Sequence, residues 1–233
     1  MRATVCLPTY DERENLEPMI RALGEVLPPD GRVLVIDDGS PDGTGRIADR
    51  LAEELPWVGV LHRERKEGLG RAYVAGFRRA LADGAELVLE LDCDFSHDPK
   101  DIPRLIAAVE AGADLALGSR YVDGGGVRNW GLVRRAISRA ASVYTRLLLM
   151  PVHDPTGGFK CFRRRVLETI DLDRVNGTGY VFQIELTYRA RQAGFDVVEV
   201  PIVFTDRTQG RSKMSRSIVL EAIWRVPLLR LRG

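Results

Sequence analysis

A chain of 233 residues can bury one substantial core, and its 45% apolar and 29% charged residues are an ordinary globular balance. A net charge of +1 excludes chain-wide attraction for nucleic acid, and three widely spaced cysteines (Cys6, Cys93, Cys161) exclude a disulfide framework or a zinc site and fit reduced thiols of a cytoplasmic protein. No signal peptide opens the sequence, and no apolar run reaches the ~18 residues needed to span a bilayer.

Thr4-Val-Cys-Leu7 predicts a short buried strand closed by Pro8. Asp11-x-x-Glu14 then fits a capping box, and Leu16, Met19, Ile20, Leu23, Val26 and Leu27 recur at helical spacing until Pro28-Pro29-Asp30-Gly31. Val33-Leu-Val-Ile36 predicts a second strand, running into Asp37-Asp38-Gly39-Ser40-Pro41-Asp42-Gly43. Ile47, Leu51 and Leu55 mark a helix before a strand at 58–61. Residues 69–81 predict a helix, 87–91 a strand, 102–109 a helix and 115–117 a strand. Nearly continuous apolar strands alternating with helices indicate a mostly parallel sheet covered on both faces, with ligands gathering beyond the strand C-termini. The strand ends at 8–15, 37–44 and 92–98 carry polar clusters that would converge on that edge.

In the last of these clusters, Asp92-Cys-Asp94 places two carboxylates one residue apart after an apolar run. Unpaired, they would be costly in a core. They are either solvated aspartates capping the helix near Pro99 or holders of a hard divalent cation that completes its shell with water and phosphate oxygens. No Gly-x-x-x-x-Gly-Lys-Ser/Thr loop is present, and Gly68-Leu-Gly70 lacks the third glycine of a dinucleotide fingerprint. That pair is either a tight loop opening a helix or a close approach of backbone to ligand.

The second half is more basic. Ten Lys and Arg residues between Arg120 and Arg165 stand against Asp123 and Asp154, and six more follow from Arg211 against Glu221. An anionic partner is therefore expected there. Gly124-Gly-Gly126 is a lid or an ordinary turn. Val133, Ile137, Ala140, Ala141, Tyr144, Leu147 and Leu148 form one helical stripe, with Arg134, Arg135 and Arg139 on other faces. Asp154-Pro-Thr-Gly-Gly-Phe159 turns into a strand at 160–162, residues 179–193 are helical, and two edge segments flank Pro201. Residues 205–215 have loop composition. The closing apolar segment with Trp224, Arg225, Arg230 and Arg232 is either a helix packed on the body or on a partner, or an interfacial segment resting on lipid.

Several motifs occur together: Pro8-Thr-Tyr-Asp-Glu-Arg-Glu-Asn15, Ile36-Asp-Asp-Gly-Ser-Pro-Asp-Gly-Thr44, Gly68-Leu-Gly70, Asp92-Cys-Asp-Phe-Ser-His97, Gly118-Ser-Arg-Tyr121, Asp154-Pro-Thr-Gly-Gly-Phe159, Gly179-Tyr-Val-Phe-Gln183 and Asp206-Arg-Thr-Gln-Gly-Arg-Ser-Lys213. In this order they resemble the inverting glycosyltransferases of family two, and more narrowly the dolichol- and polyprenol-phosphate mannose synthases. The resemblance implies a single α/β domain of the GT-A fold: a Rossmann-like, mostly parallel sheet with helices on both faces and a C-terminal acceptor-side extension. Residues 1–118 would form the nucleotide-sugar half, 119–210 the acceptor half and 211–233 a membrane- or partner-facing segment.

It also implies transfer of mannose from GDP-mannose to a polyprenyl monophosphate with inversion. Pro8, Tyr10, Glu12, Ile36 and Asp38 would hold the guanosine. Asp92 and Asp94, with Cys93 between them, would sit at the diphosphate and at Mg2+ or Mn2+, with Ser96 as a third metal contact. Related enzymes often carry alanine at the position of Cys93. Arg120, Arg134 and Ser138 would receive the lipid phosphate, and Arg207 and Lys213 would close over donor and acceptor. A phosphate monoester with a second pKa of about 6 arrives ionised, so no base is required and His62, His97 and His153 are structural or peripheral. The acceptor implies peripheral association with the cytoplasmic face of a membrane or a membrane-bound partner subunit. The rivals are a UDP-glucose-dependent enzyme acting on the same lipid, a transferase with a soluble acceptor, and a non-catalytic nucleotide-binding module that docks on membranes.

Overall fold

Each apolar run of the N-terminal half forms a strand, and each amphipathic run forms a helix laid over it. They are β1 (Ala3–Thr9), α1 (Leu16–Val26), β2 (Arg32–Asp37), α2 (Thr44–Glu54), β3 (Val58–His62), α3 (Leu69–Ala82), β4 (Leu87–Glu90), α4 (Ile102–Glu110) and β5 (Leu115–Ser119). Then follow β6 (Gly126–Arg128), α5 (Leu132–Leu148), β7 (Lys160–Arg163), α6 (Arg164–Thr169), α7 (Tyr180–Gln192), β8 (Val197–Pro201) and β9 (Val203–Thr205). A helical segment covers 224–230. The computed structural model describes residues 1–175, 177, 179–206 and 224–230.

The main sheet has seven strands in the order β3-β2-β1-β4-β7-β5-β8. Its pairings are parallel except those of β7, which runs antiparallel to β4 and β5. The period of two along each strand divides the core. Val5, Leu7, Val33 and Val35 face one cluster with Leu16, Met19 and Leu51, while Cys6, Leu34 and Ile36 face the other with Tyr73, Phe77 and Phe182. Both faces are thus covered, as the continuous apolar strands require. The sheet is mixed only through β7.

Several expectations change in detail. Pro8 does not close β1, because pairing continues through Pro8↔Ile36 and Thr9↔Asp37. The Thr9 carbonyl accepts from the Asp38 N–H on the β2 side, so the alternate residue Pro8 turns toward β4, whose pairing ends at Cys6↔Glu90. A proline is tolerated there because no ladder bond is lost. Asp11 is not a helix cap. It stands at φ +56, and α1 begins only at Leu16, after the Glu12 carbonyl has accepted from the N–H groups of Asn15 and Leu16. Of the lid and the turn at 124–126, the turn is found: the Gly125 N–H donates to the Val122 carbonyl, and Gly126 opens β6. The segments around Pro201 belong to separate sheets, β8 at the edge of the main one and β9 paired with β6.

The antiparallel β7 also redistributes the basic residues. Its end at Arg163 pairs with Leu87, the first residue of β4, at the edge opposite the polar clusters. There Arg163 and Arg165 pair with Asp114, and Arg164 pairs with Glu168 and donates to the Leu81 and Ala85 carbonyls. These three arginines are engaged by groups of the fold, away from the polar clusters.

The other end of β7 buries Lys160 completely. Its ammonium lies 3.3 Å from Glu90 and also donates to the Gln183 side-chain carbonyl. Burial pushes the Glu90 carboxyl up and the Lys160 ammonium down, each opposed by the other's charge. Removing only one partner leaves the other charge buried alone. Lys160→Met is expected to lower unfolding free energy by about 3 to 5 kcal/mol in urea titrations, and Lys160→Met with Glu90→Leu to recover most of that loss.

Candidate active site

Strands β2, β1 and β4 are neighbours, so the polar segments after them meet at one edge. The first two interlock through backbone N–H groups: Asp11 donates to Ser40 Oγ at 3.2 Å, Glu12 to Thr44 Oγ1 at 3.0 Å and Arg13 to Asp42 Oδ2 at 3.1 Å. Buried Asp37 anchors the second loop by accepting from Ser40 Oγ at 2.6 Å. Burial alone would raise the Asp42 carboxyl, but bonds from Thr44 and Arg13 outweigh it and hold the group below its ordinary range. Asp38 is buried beside the Arg63 guanidinium. Desolvation prevails over that cation and raises its carboxyl. Lys66 Nζ stands 3.7 Å above the Tyr10 ring, and Glu12 accepts from Asn15 Nδ2 at 2.8 Å. Pro8, Tyr10, Glu12 and Asp38 therefore share this edge. The Ile36 side chain lies in the core beneath α3, which leaves only its backbone toward the site.

The last residues before the third cluster are those of β4, and Asp92 and Asp94 emerge beyond its end. Asp92 Oδ1 accepts from the Tyr73 hydroxyl at 3.0 Å. Tyr73 is fully buried and stacks on Phe182 with centroids 6.0 Å apart and planes 8° from parallel. The Ser96 N–H donates to Asp94 Oδ1 at 3.0 Å, and its hydroxyl donates to the same oxygen. Ser96 thus orients Asp94. The Cys93 thiol points away from this edge into the apolar core. Of the two readings of Gly68-Leu-Gly70, the structure shows the loop that opens a helix. Gly68 caps α3 at φ +101, and a Cβ on Gly70 would stand 2.8 Å from Phe182, so α3 and α7 approach through it.

The residues expected to meet the acceptor follow β5 and lie on α5. Arg120, 7% exposed, forms a bidentate pair with Asp154: Nε to Oδ2 at 2.7 Å and Nη2 to Oδ1 at 2.6 Å. Nη2 also donates to Thr156 at 2.8 Å. Despite burial, Asp154 keeps the guanidinium firmly charged. Arg134 is more open and pairs with Asp206 at 2.6 Å. Ser138 Oγ accepts from the Tyr121 hydroxyl at 2.7 Å. Tyr180 connects the two sides. Burial raises its phenol, Arg120 and Arg134 counter the rise, and Asp92 adds to it, so all three charges lie within its electrostatic reach. Arg207 and Lys213 lie outside the described residues.

Strain gathers around the same edge. The non-glycine residues at positive φ are Asp11, Phe95 and Asn129, in the first loop, the Asp94 loop and the turn before α5 respectively. His97 sits between Phe159 and Phe204, and burial, with Arg120 nearby, lowers its pKa to about 4, so it is neutral. Among the described residues no cluster of three or more His, Cys, Asp or Glu could hold a metal. Two carboxylates at a strand end fit a cation that takes its remaining ligands from water and a diphosphate.

Sequence reasoning assigned no role to Tyr73, Asp154, Asp206 or Trp130. Asp154 stood in a quoted motif, and its place as one of two acids among ten basic residues was the available signal. Tyr73 had none, because its spacing is that of any core residue on α3.

Comparison with known proteins agrees with this geometry. A sequence profile of Glycosyl transferase family 2 matches residues 4–171. The chain is 52% identical over 234 residues to the polyprenol monophosphomannose synthase of Mycolicibacterium smegmatis, covering 100% of this chain and 88% of that protein. It is 47% identical over 224 residues to the undecaprenyl-phosphate mannosyltransferase of Micrococcus luteus, covering 96% and 91%. Among solved structures it matches the mannosyltransferase PcManGT from Pyrobaculum calidifontis, in complex with GDP-Man and Mn2+, with a TM-score of 0.70 at 18% identity. That match covers 100% of this chain and 64% of the other and bears out the GT-A fold.

Tyr73→Phe keeps the stack and deletes only the hydroxyl on Asp92. Binding of Mn2+ in the presence of a nucleoside diphosphate should weaken about tenfold or more, as for other groups that orient a metal ligand. Calorimetric titration checks this, and unchanged affinity would remove Tyr73 from the site.

Proposed function

The chain belongs to glycosyl transferase family 2 and is a glycosyltransferase, and from that premise we propose that it transfers mannose from GDP-mannose to a polyprenyl monophosphate with inversion at the anomeric carbon. The observation that carries this reading is the tie between the Asp94 loop and the arginine pair: the Ser96 carbonyl accepts from the Thr205 N–H at 3.0 Å, and the adjoining Phe204 packs on the Trp130 ring that Arg120 and Arg134 both face. The names of the relatives support a polyprenyl phosphate acceptor and mannose as the sugar.

In this reading the guanosine rests on Pro8, Tyr10, Glu12 and Asp38, with Ile36 and Cys93 contributing backbone. Asp92 and Asp94 would hold Mg2+ or Mn2+, with Ser96 as a third contact, and a cation bound there would supply charge neutralisation for the diphosphate. Arg120 and Arg134, with Ser138, present the lipid phosphate. One of its oxygens forms a bond to the mannosyl C1 as the bond from C1 to the diphosphate oxygen breaks, and that electron pair leaves with GDP. The nucleophile is already an anion, so the neutral, enclosed His97 is not needed as a base. Arg207 and Lys213 are assigned to closure over the two substrates.

A polyprenyl chain stays in a bilayer, so the catalytic edge must reach one. Helix α5 has the apolar stripe expected of it, yet Leu132, Val133 and Leu147 are 82%, 74% and 78% exposed while Ser142 and Thr145 are buried. Trp224 is 76% exposed on the segment at 224–230, where Arg225 and Arg230 are also exposed. Apolar side chains among arginines suit the headgroup boundary of an anionic leaflet. No described helix is long and apolar enough to cross a membrane, so this face supports peripheral association with the cytoplasmic surface. A membrane-bound partner subunit is a second occupant for it.

Protein with Mn2+ or Mg2+, polyprenyl phosphate and radiolabelled GDP-mannose should give label in the organic phase. Label from UDP-glucose alone would replace the donor, and none from either would return the chain to a nucleotide-binding role. Asp94→Ala should lower transfer by at least about a hundredfold, because no other described carboxylate takes its place at the ion. Leu132→Ser with Val133→Ser and Leu147→Ser should cut sedimentation with anionic vesicles by roughly tenfold or more while transfer to a short-chain acceptor persists. Unchanged sedimentation would assign the face to protein.

A further inference from the structure

The two acceptor-side cations converge on one side chain that no part of the proposed mechanism yet uses. Trp130 lies in the turn between β6 and α5, directly after the strained Asn129, and is 7% exposed. Its ring centroid is 4.2 Å from Arg134 Cζ and 5.4 Å from Arg120 Cζ. Phe204 of β9 holds the indole edge-on at 5.3 Å and meets His97 at 5.0 Å on its other side. His97 follows Ser96, whose carbonyl accepts from the Thr205 N–H at 3.0 Å. The indole is thereby braced against the loop that carries Asp94.

Two guanidinium groups drawn to one site repel each other, and carboxylates relieve that repulsion only by occupying N–H groups that a ligand needs. An aromatic face relieves it differently. It attracts each cation through its quadrupole and leaves the planar N–H edges open. The hydrogen bonding here has that pattern. Arg120 commits Nε and Nη2 to Asp154 and Thr156 and makes no hydrogen bond through Nη1. Arg134 Nε and Trp130 Nε1 are both buried without a hydrogen-bond partner. Buried donors with no acceptor beside a pair of cations mark a place that wants an anionic oxygen group.

We propose that Trp130 is a positioning residue for the acceptor, its indole holding Arg120 and Arg134 at the spacing and tilt with which they grip one phosphate monoester. The inference rests on the acceptor reading given above. It makes the indole, and not only the charges, a determinant of how tightly the lipid phosphate binds.

Two measurements test it. In steady-state kinetics, Trp130→Leu should raise KM for polyprenyl phosphate about tenfold, the effect of losing two cation–π contacts. KM for GDP-mannose should stay within about twofold, and Trp130→Phe, which keeps an aromatic face, should fall between. An unchanged acceptor KM, or an equal rise in both KM values, would overturn the proposal. The second measurement does not depend on turnover. In Trp57→Phe with Trp224→Phe, Trp130 is the one indole left of the three in the chain. Its fluorescence should shift on titration with a short-chain isoprenyl phosphate and not with the corresponding alcohol. No shift counts against the inference. A shift in a protein that transfers no mannose would sink the functional reading and leave the positioning role standing.

Discussion

A guanidinium sealed from water is tolerable only against a carboxylate that takes its whole fork, and the Arg120–Asp154 pair is the contact on which the end of β5 and the turn at 154–157 depend. Breaking such a pair from one side costs about 3 to 5 kcal/mol, because the surviving charge stays buried. Asp154 is itself fixed, its N–H donating to Glu199 Oε1 of β8 at 2.9 Å, and Glu199 Oε2 also accepts from His153. The Arg120 N–H closes the circuit on Asp154 Oδ2 at 2.9 Å. The end of β5, the turn at 154–157 and the edge strand β8 therefore move as one. Arg120 is a fixed cation, whereas Arg134, on a half-open helix face with Asp206 as counterion, is a releasable one.

The edge beyond β1 and β2 is built differently. Its one described pair of low exposure, Asp38 with Arg63, is joined by a set of loop-to-loop hydrogen bonds. Backbone N–H groups of one loop donate to side chains of the next, and positive φ at Asp11 turns the chain where these bonds form. Short polar side chains such as Ser40, Asp42 and Thr44 reach a neighbouring backbone without long, floppy stems, which suits a surface that must keep its shape.

How much of this was legible from the residues depended on whether local pattern or distant partners decided the outcome. Strands and helices through Ser119 followed their apolar periods, and the meeting of three polar strand ends followed from parallel order alone. The α5 stripe gave the helix but not its orientation, since spacing marks an apolar face without saying what covers it. Charge counting near Arg163 misled because an antiparallel strand carries its two ends to opposite edges of the sheet. The Asp11 motif misled because its N–H had a better partner in Ser40, twenty-nine residues away. Asp154 and Tyr73 act through contacts with residues far along the chain, which no local spacing encodes.

The place of β7 has a consequence for how the chain is made. β5 has only β7 and β8 as neighbours, and both are synthesised after it. When residue 119 leaves the ribosome, β4 is paired on one side only and β5 has no partner at all. The edge formed by β1, β2 and β4 can begin to assemble, but its sheet stays open until residues 160–163 slot in antiparallel between β4 and β5. Such late, long-range closure slows folding and leaves sticky strand edges waiting. The nascent protein would be most vulnerable to aggregation in that interval, with half of its sheet formed and the strand that completes it still to come.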